Sequence, residues 1–264
     1  MTCRRIAPAL LLALSLALPG LARAADYHHV HIATPNAPEA ARWYVQYLDC
    51  EPIPDRDNAC RYGSVILMFL SRPSMGGSVG TGVNHIGLSY PDLTAKMAEL
   101  EAVGVGGLGV RLQRFDDGST VRDIPGLFKI AFVFDPWGTR IELVEDAEYL
   151  GFHHIHLSSA DPAAALDWYE KMFGGERASM RGRLDGLLYD SVWLLVSAQD
   201  NPPAATQGRA IDHLGWAFPD IEAAMADLEA KGADIRGEIQ EGRTVARYGF
   251  VVSPENVRVE VVQP

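Results

Sequence analysis

Asn84–Gly104 (NHIGLSYPDLTAKMAELEAVG) and Asp212–Gly232 (DHLGWAFPDIEAAMADLEAKG) match at 11 of 21 positions without a gap. Internal similarity at that level marks a duplicated unit. A second repeat lies upstream of each copy. His28-His29-Val30-His31-Ile32 leads through Asn36 and Pro38 to Trp43-Tyr44, and His153-His154-Ile155-His156-Leu157 leads through Asp161 to Trp168-Tyr169. The chain is therefore two homologous halves, each made of two units that open on a histidine-bearing segment.

Local signals within a unit read strand, helix, then further strands. His29 and His31 alternate with Val30 and Ile32, the period of a strand with one apolar face. Asn36, Asp92, Asp161 and Asp220 stand where helix N-caps are needed, two of them with a proline close behind. Met97 and Leu100, like Met225 and Leu228, recur at i, i+3, and Gly104 and Gly232 end those helices. Residues 128–135 and 139–145 read as a hairpin about Asp135-Pro136-Trp137-Gly138, with Ser253-Pro254-Glu255-Asn256 as the counterpart turn. Residues 71–82 and 198–210, rich in turn formers, connect the units. Trp43 and Trp168 are expected in the core.

All eight histidines fall in the four opening strands. Alternation puts His29 with His31, and His154 with His156, on the face opposite the helix. His85 with Gly87, and His213 with Gly215, take the same concave face in the other units, the glycine leaving room beside the histidine. His28 and His153 read as structural residues at the helix side or the strand edge. Glu142 (in Arg140-Ile141-Glu142-Leu143-Val144) and Glu260 (in Arg258-Val259-Glu260-Val261-Val262) are acids between apolar neighbours. Burying such an acid is costly unless it is paired or metal-bound. Two histidines and one carboxylate with open positions suit Fe(II) or a similar divalent ion. His31 and His156 are candidate acid-base groups or alternative ligands. Arg140 and Arg258, beside the glutamates, are candidates for binding a substrate anion or pairing with an acid.

With these residues the chain resembles the vicinal oxygen chelate superfamily, which includes glyoxalase I, extradiol dioxygenases and bleomycin-resistance proteins. The matching features are His29-Val30 leading to Trp43-Tyr44, Asn84-His85-Ile86, and Asp135 through Leu143, which is similar to the family's DPxGxxxEL ending. In the second half they are His154, His213 and Ser253 through Val261. The resemblance implies an α+β fold of four βαβββ modules in two tandem domains, near 26–147 and 152–264, with 148–151 as linker. It also implies one metal site of His29, His85 and Glu142 and a second of His154, His213 and Glu260. Glyoxalase I draws a further ligand from the last strand of its first module, where Val65–Leu70 and Val192–Val196 offer no carboxylate. The expected activity is closest to an extradiol-type dioxygenase with Fe(II), with Mn(II) or Zn(II) as other ions. The alternatives are a glyoxalase-like lyase or a non-catalytic protein that sequesters a small molecule or metal.

Composition narrows the class. The 264 residues are 48% hydrophobic and 22% charged, as in ordinary globular proteins. A net charge of -11 without a basic run argues against nucleic-acid binding, so a small-molecule substrate is the expected partner. Arg4-Arg5, the apolar run Ile6–Leu18 and Ala22-Arg23-Ala24 read as a cleavable export signal over 1–24, too short to span a membrane. A periplasmic or secreted mature protein without a membrane span is expected. Cys50 and Cys60, ten residues apart, could pair there.

Overall fold

The computed structural model describes residues 25–103 and 109–264. The expected export signal and Gly104 lie outside them. Four modules follow one another. The first is β1 (Asp26–Thr34), α1 (Ala37–Leu48), β2 (Glu51–Ile53), β3 (Arg56–Tyr62) and β4 (Val65–Ser71). The second is β5 (Val83–Ser89), α2 (Leu93–Val103), β6 (Arg111–Leu112), β7 (Val121–Asp123), β8 (Lys129–Phe134) and β9 (Arg140–Val144). The third runs β10 (Gly151–Ser159), α3 (Pro162–Phe173), β11 (Glu176–Met180), β12 (Leu184–Tyr189) and β13 (Val192–Ala198). The fourth runs β14 (Ile211–Ala217), α4 (Ile221–Ala230), β15 (Asp234–Glu241), β16 (Arg247–Val252) and β17 (Arg258–Gln263). This is the expected α+β pattern, and its helix starts are those expected. Asn36, Asp92, Asp161 and Asp220 each accept a hydrogen bond from the backbone N–H three residues on, at 2.9–3.3 Å.

The pairing of modules differs from the expectation. One eight-stranded sheet has the order β15-β16-β17-β14-β1-β4-β3-β2, and a nine-stranded sheet runs β11-β12-β13-β10-β5-β9-β8-β6 with β7 on β8. The first module therefore joins the fourth, and the second joins the third. Connection length accounts for this. Only residues 145–150 separate the modules that share the second sheet. The longer connectors, 72–82 and 199–210, carry the chain from sheet to sheet and meet at a Thr81–Ala204 bridge.

Apolar faces of the strands and helices meet in one core. Val30, Ile32, Ile86, Leu88, Ile155, Leu157, Leu214 and Trp216 are buried there, as alternation requires. Trp216 stacks on Phe173 at 4.7 Å. Trp43 is buried as expected, whereas Trp168 is only half-buried at the core's edge. Cys50 and Cys60 form a disulfide across a Cα–Cα distance of 5.7 Å, tying the start of β2 to β3. The third module has no such staple.

Candidate metal centres

Strand register assembles two clusters on the faces away from the helices. In the first sheet, His29 of β1 lies opposite Gly215 of β14, and Gly215 lies opposite Glu260 of β17. His31 pairs with His213 one step further along. In the second sheet the same rows read His154, Gly87, Glu142 and His156, His85. One cluster is thus His29, His31, His213 and Glu260, the other His85, Glu142, His154 and His156. Within each, one donor atom from every residue lies within 4.8 Å of the others.

This regroups the sequence-derived triads. His29 meets His213 and Glu260, and His154 meets His85 and Glu142, because the opening strands pair across the halves. The glycines also serve a different neighbour from the one expected. A Cβ on Gly215 would sit 2.0 Å from the His29 ring, and one on Gly87 would sit 2.0 Å from the His154 ring. Each glycine therefore leaves space for the histidine of the adjoining strand to lie across it.

The contacts at each centre are short. In the first, Glu260 Oε2 is 2.8 Å from His29 Nε2 and 3.1 Å from His213 Nε2. In the second, Glu142 Oε2 is 3.0 Å from His85 Nε2 and 3.1 Å from His154 Nε2. All six side chains are buried. Two ligand atoms bound at about 2.1 Å and at right angles would stand about 3.0 Å apart.

Proton accounting tests whether a cation fits. His213 has Asp212 Oδ1 2.6 Å from Nδ1 and Glu260 beyond Nε2, so acceptors face both ends of the ring. His85 likewise lies between Asn84 Oδ1, at 2.9 Å, and Glu142. Arg140 Nη1 donates to that same Asn84 oxygen, which identifies it as the amide's acceptor. A neutral imidazole has one proton for two acceptors, and burial pushes His85 down to about 4, opposing a second proton. With Nδ1–H donated outward, Nε2 presents a lone pair to the centre, the arrangement of a metal-ligating histidine. Both ring nitrogens of His31 are buried with no hydrogen-bond partner. The donor set fits a divalent ion at each centre.

His28 and His153, expected to be structural, stand behind the ligands. β1 and β10 are bulged at these positions, and each ring brings Nδ1 to 2.8 Å from Nδ1 of the next histidine. His153 Nε2 faces Asp146 Oδ2 at 3.4 Å. A proton donated there makes His153 Nδ1 the acceptor for His154 Nδ1–H, which again bares His154 Nε2. The signal in the sequence was the His-His doublet. The backing residues Asp212 and Asn84 adjoin predicted ligands but have no pattern of their own.

What surrounds the centres differs. A cavity of about 540 Å³ opens on the first, touching His31, His213 and Glu260. Arg258 lines it, stacked 3.5 Å from the Phe250 ring centroid with Nη1 3.3 Å from Asp212 Oδ1. At the second, Trp193 lies beside His154 and Leu195 beside His156, and both pack with Met180 in an apolar cluster. Arg140 stacks on Phe132 as Arg258 does on Phe250. His156 Nε2 is 2.6 Å from Ser197 Oγ, while burial holds the partnerless His31 well below the usual imidazole range.

Residues 151–261 match the model of the Glyoxalase/Bleomycin resistance protein/Dioxygenase superfamily. No curated protein matches the sequence. Among solved structures, a glyoxalase I mutant from Zea mays is 16% identical over 90% of this chain and 92% of its own, with a TM-score of 0.68. A putative dioxygenase from Bacillus subtilis is 15% identical over 91% of this chain and 85% of its own, with a TM-score of 0.63. At such identities the likeness is one of fold.

Proposed function

We propose that this chain, whose second half is a vicinal oxygen chelate domain and whose described residues as a whole carry that fold, is a metal-dependent enzyme acting at the first centre. Its reaction is closest to that of an extradiol-type dioxygenase on a small substrate with two adjacent oxygens. The observation that carries this reading is the convergence of buried imidazole nitrogens on one glutamate oxygen beneath an open cavity. His29, His213 and Glu260 would hold the ion, and two histidines with one carboxylate suit Fe(II). The ion supplies Lewis acidity and a template for the two oxygens.

The chain's own groups do the rest. Asp212 fixes the His213 ring by accepting its Nδ1–H. Gly215 lets His29 lie flat enough to reach Glu260. His31, unpartnered and facing the cavity, is the group placed to hold a substrate hydroxyl proton. At the second centre the cavity touches only His156 of the four donors, so His85, His154 and Glu142 would hold an ion beside the apolar cluster of Trp193, a role in stability rather than turnover.

The test is metal analysis of anaerobically purified protein, followed by turnover of catechols and of vicinal dicarbonyls. About two ions per chain, with turnover abolished by Glu260→Gln and retained in Glu142→Gln, is the expected result. Dicarbonyl isomerisation instead of ring cleavage would favour the lyase reading. A wild type that binds no divalent ion would sink the proposal. Export remains part of it, supported by the leader-like sequence of residues 1–24 and by the Cys50–Cys60 disulfide, a bond of oxidising compartments.

A further inference from the structure

The cavity above the first centre is basic in an acidic protein. Against 34 Asp+Glu and 23 Lys+Arg in the whole chain, it is lined by Arg56, Arg72, Arg236, Arg243 and Arg258, with only Glu241 and Glu260 as acids. Two of the arginines come from the first module and three from the fourth, so the basic lining exists only because those modules share a sheet.

Internal ion pairs account for only some of this charge. Arg72 and Arg258 both pair with the buried Asp212, and Arg236 pairs with Asp234. Arg56 has no carboxylate partner among the described residues. Its Nη2 rests 3.1 Å from Met68 Sδ, and its Nε is buried without a hydrogen bond. Arg243, exposed on the turn between β15 and β16, has no carboxylate partner among them either. An unsatisfied buried guanidinium nitrogen is costly unless a ligand completes it. Guanidinium forks match carboxylate and phosphoryl oxygens.

The second sheet provides an internal control. By strand register, Gln199 follows β13 where Arg72 follows β4, and Gln113 stands where Arg236 stands. Arg183 stands where Arg56 stands and, with Arg177, lines a cavity of about 370 Å³ that touches His156, so the two centres share that arginine position and differ at those of Arg72 and Arg236.

We infer that the first cavity takes an anionic substrate, one whose adjacent oxygens lie at the metal centre while a carboxylate or phosphoryl group is held by Arg56 and Arg243. This rests on the reading of the first centre as the substrate site.

Calorimetric titration of the metal-loaded chain compares catechol, 3,4-dihydroxybenzoate and 3,4-dihydroxyphenylphosphonate. At least one acid-bearing catechol should bind about 10-fold or more tighter than catechol, and added salt should erode the difference. The relative strength of the two acids tells carboxylate from phosphoryl preference. Arg56→Ala and Arg243→Ala should each remove most of that advantage while two ions per chain remain bound. Arg243 is exposed, so its variant tests the idea even if Arg56→Ala misfolds. Equal binding of all three compounds by wild type, or an advantage that survives both substitutions, overturns the inference. The same titration with benzoate on chelated protein separates the two readings. Arginine-dependent benzoate binding in a chain that takes up no metal would uphold the anion site and defeat the metal centre.

Discussion

In the first sheet Asp212 stands behind a ligand histidine where the second sheet has Asn84, and Ile66 lies beside His29 where the second has Trp193 beside His154. The donors themselves occupy identical register in both. Duplication preserved what the sheet geometry needs, namely the histidine rows, the glycine gaps and the glutamates. It left free what stands behind and above them. One centre has a carboxylate-backed histidine under a cavity that touches three of its donors, the other an amide-backed histidine beside an apolar cluster and a smaller cavity that touches His156 alone of its donors. The same four-donor pattern therefore stands in a more open setting in one sheet and a more covered one in the other.

The largest test of this comparison concerns which donors share an ion. Grouping across the halves means that His29→Ala with Glu260→Ala should lose one ion per chain, whereas His29→Ala with Glu142→Ala should lose both. Each lost ligand should weaken its ion by more than the ~100-fold upper range of changes behind the ligands. The reverse pattern of stoichiometry would restore the grouping by halves.

Acid should weaken the metal-free fold next most strongly. His85 has a folded-state value of about 4 against an ordinary 6.5, because burial disfavours the imidazolium. The unfolded chain then binds more protons than the folded one between those values. The stability this neutral ring contributes is complete above about pH 6.5 and lost as pH falls to about 4, on the order of 3 kcal/mol. His28, also near 4, adds a loss in the same window on the first sheet's side. Denaturant midpoints of chelated protein between pH 7 and 4 would show it, and a flat profile would contradict burial of neutral rings.

The disulfide belongs to the first sheet alone. Closing so short a loop should stabilise the chain by about 2–3 kcal/mol. Cys50→Ala with Cys60→Ala should lower the unfolding midpoint accordingly and leave the second centre's ion in place.

The smallest effect expected is the exchange behind the ligands. Asp212→Asn should lower the first centre's affinity by about 10-fold to 100-fold, and Asn84→Asp should raise the second's by a similar factor. Competition with a chromophoric chelator would resolve both. No change in either would show that the backing residues do not tune the ligands.

The modules are legible in the sequence. Period-two alternation, aspartate and asparagine caps and the Asp135–Gly138 turn are local signals, and each appears where the spacing put it. His29, His85, Glu142, His154, His213 and Glu260 were also legible as concave-face residues, because alternation alone decides which face a strand residue takes. His28 and His153 were misread because a bulge, which breaks alternation, turns them toward the ligands. Arg56, Arg72, Arg236 and Arg243 carried no signal at all. They lie on separate strands and connectors, and only their convergence makes them a set.

Sequence by itself determined the four units of strand, helix and further strands, the donor types and the face on which each donor lies, since all of these follow from backbone periodicity and interactions within a few residues. Only the tertiary structure decided which donors share a centre. The free edge of β1 can meet either β5 or β14, and the two carry the same His-x-Gly pattern, so local sequence cannot choose between them. The choice falls to connector length and to the packing of whole modules, and it is this pairing that sets His29 beside Glu260 and closes the first cavity with arginines from both ends of the chain.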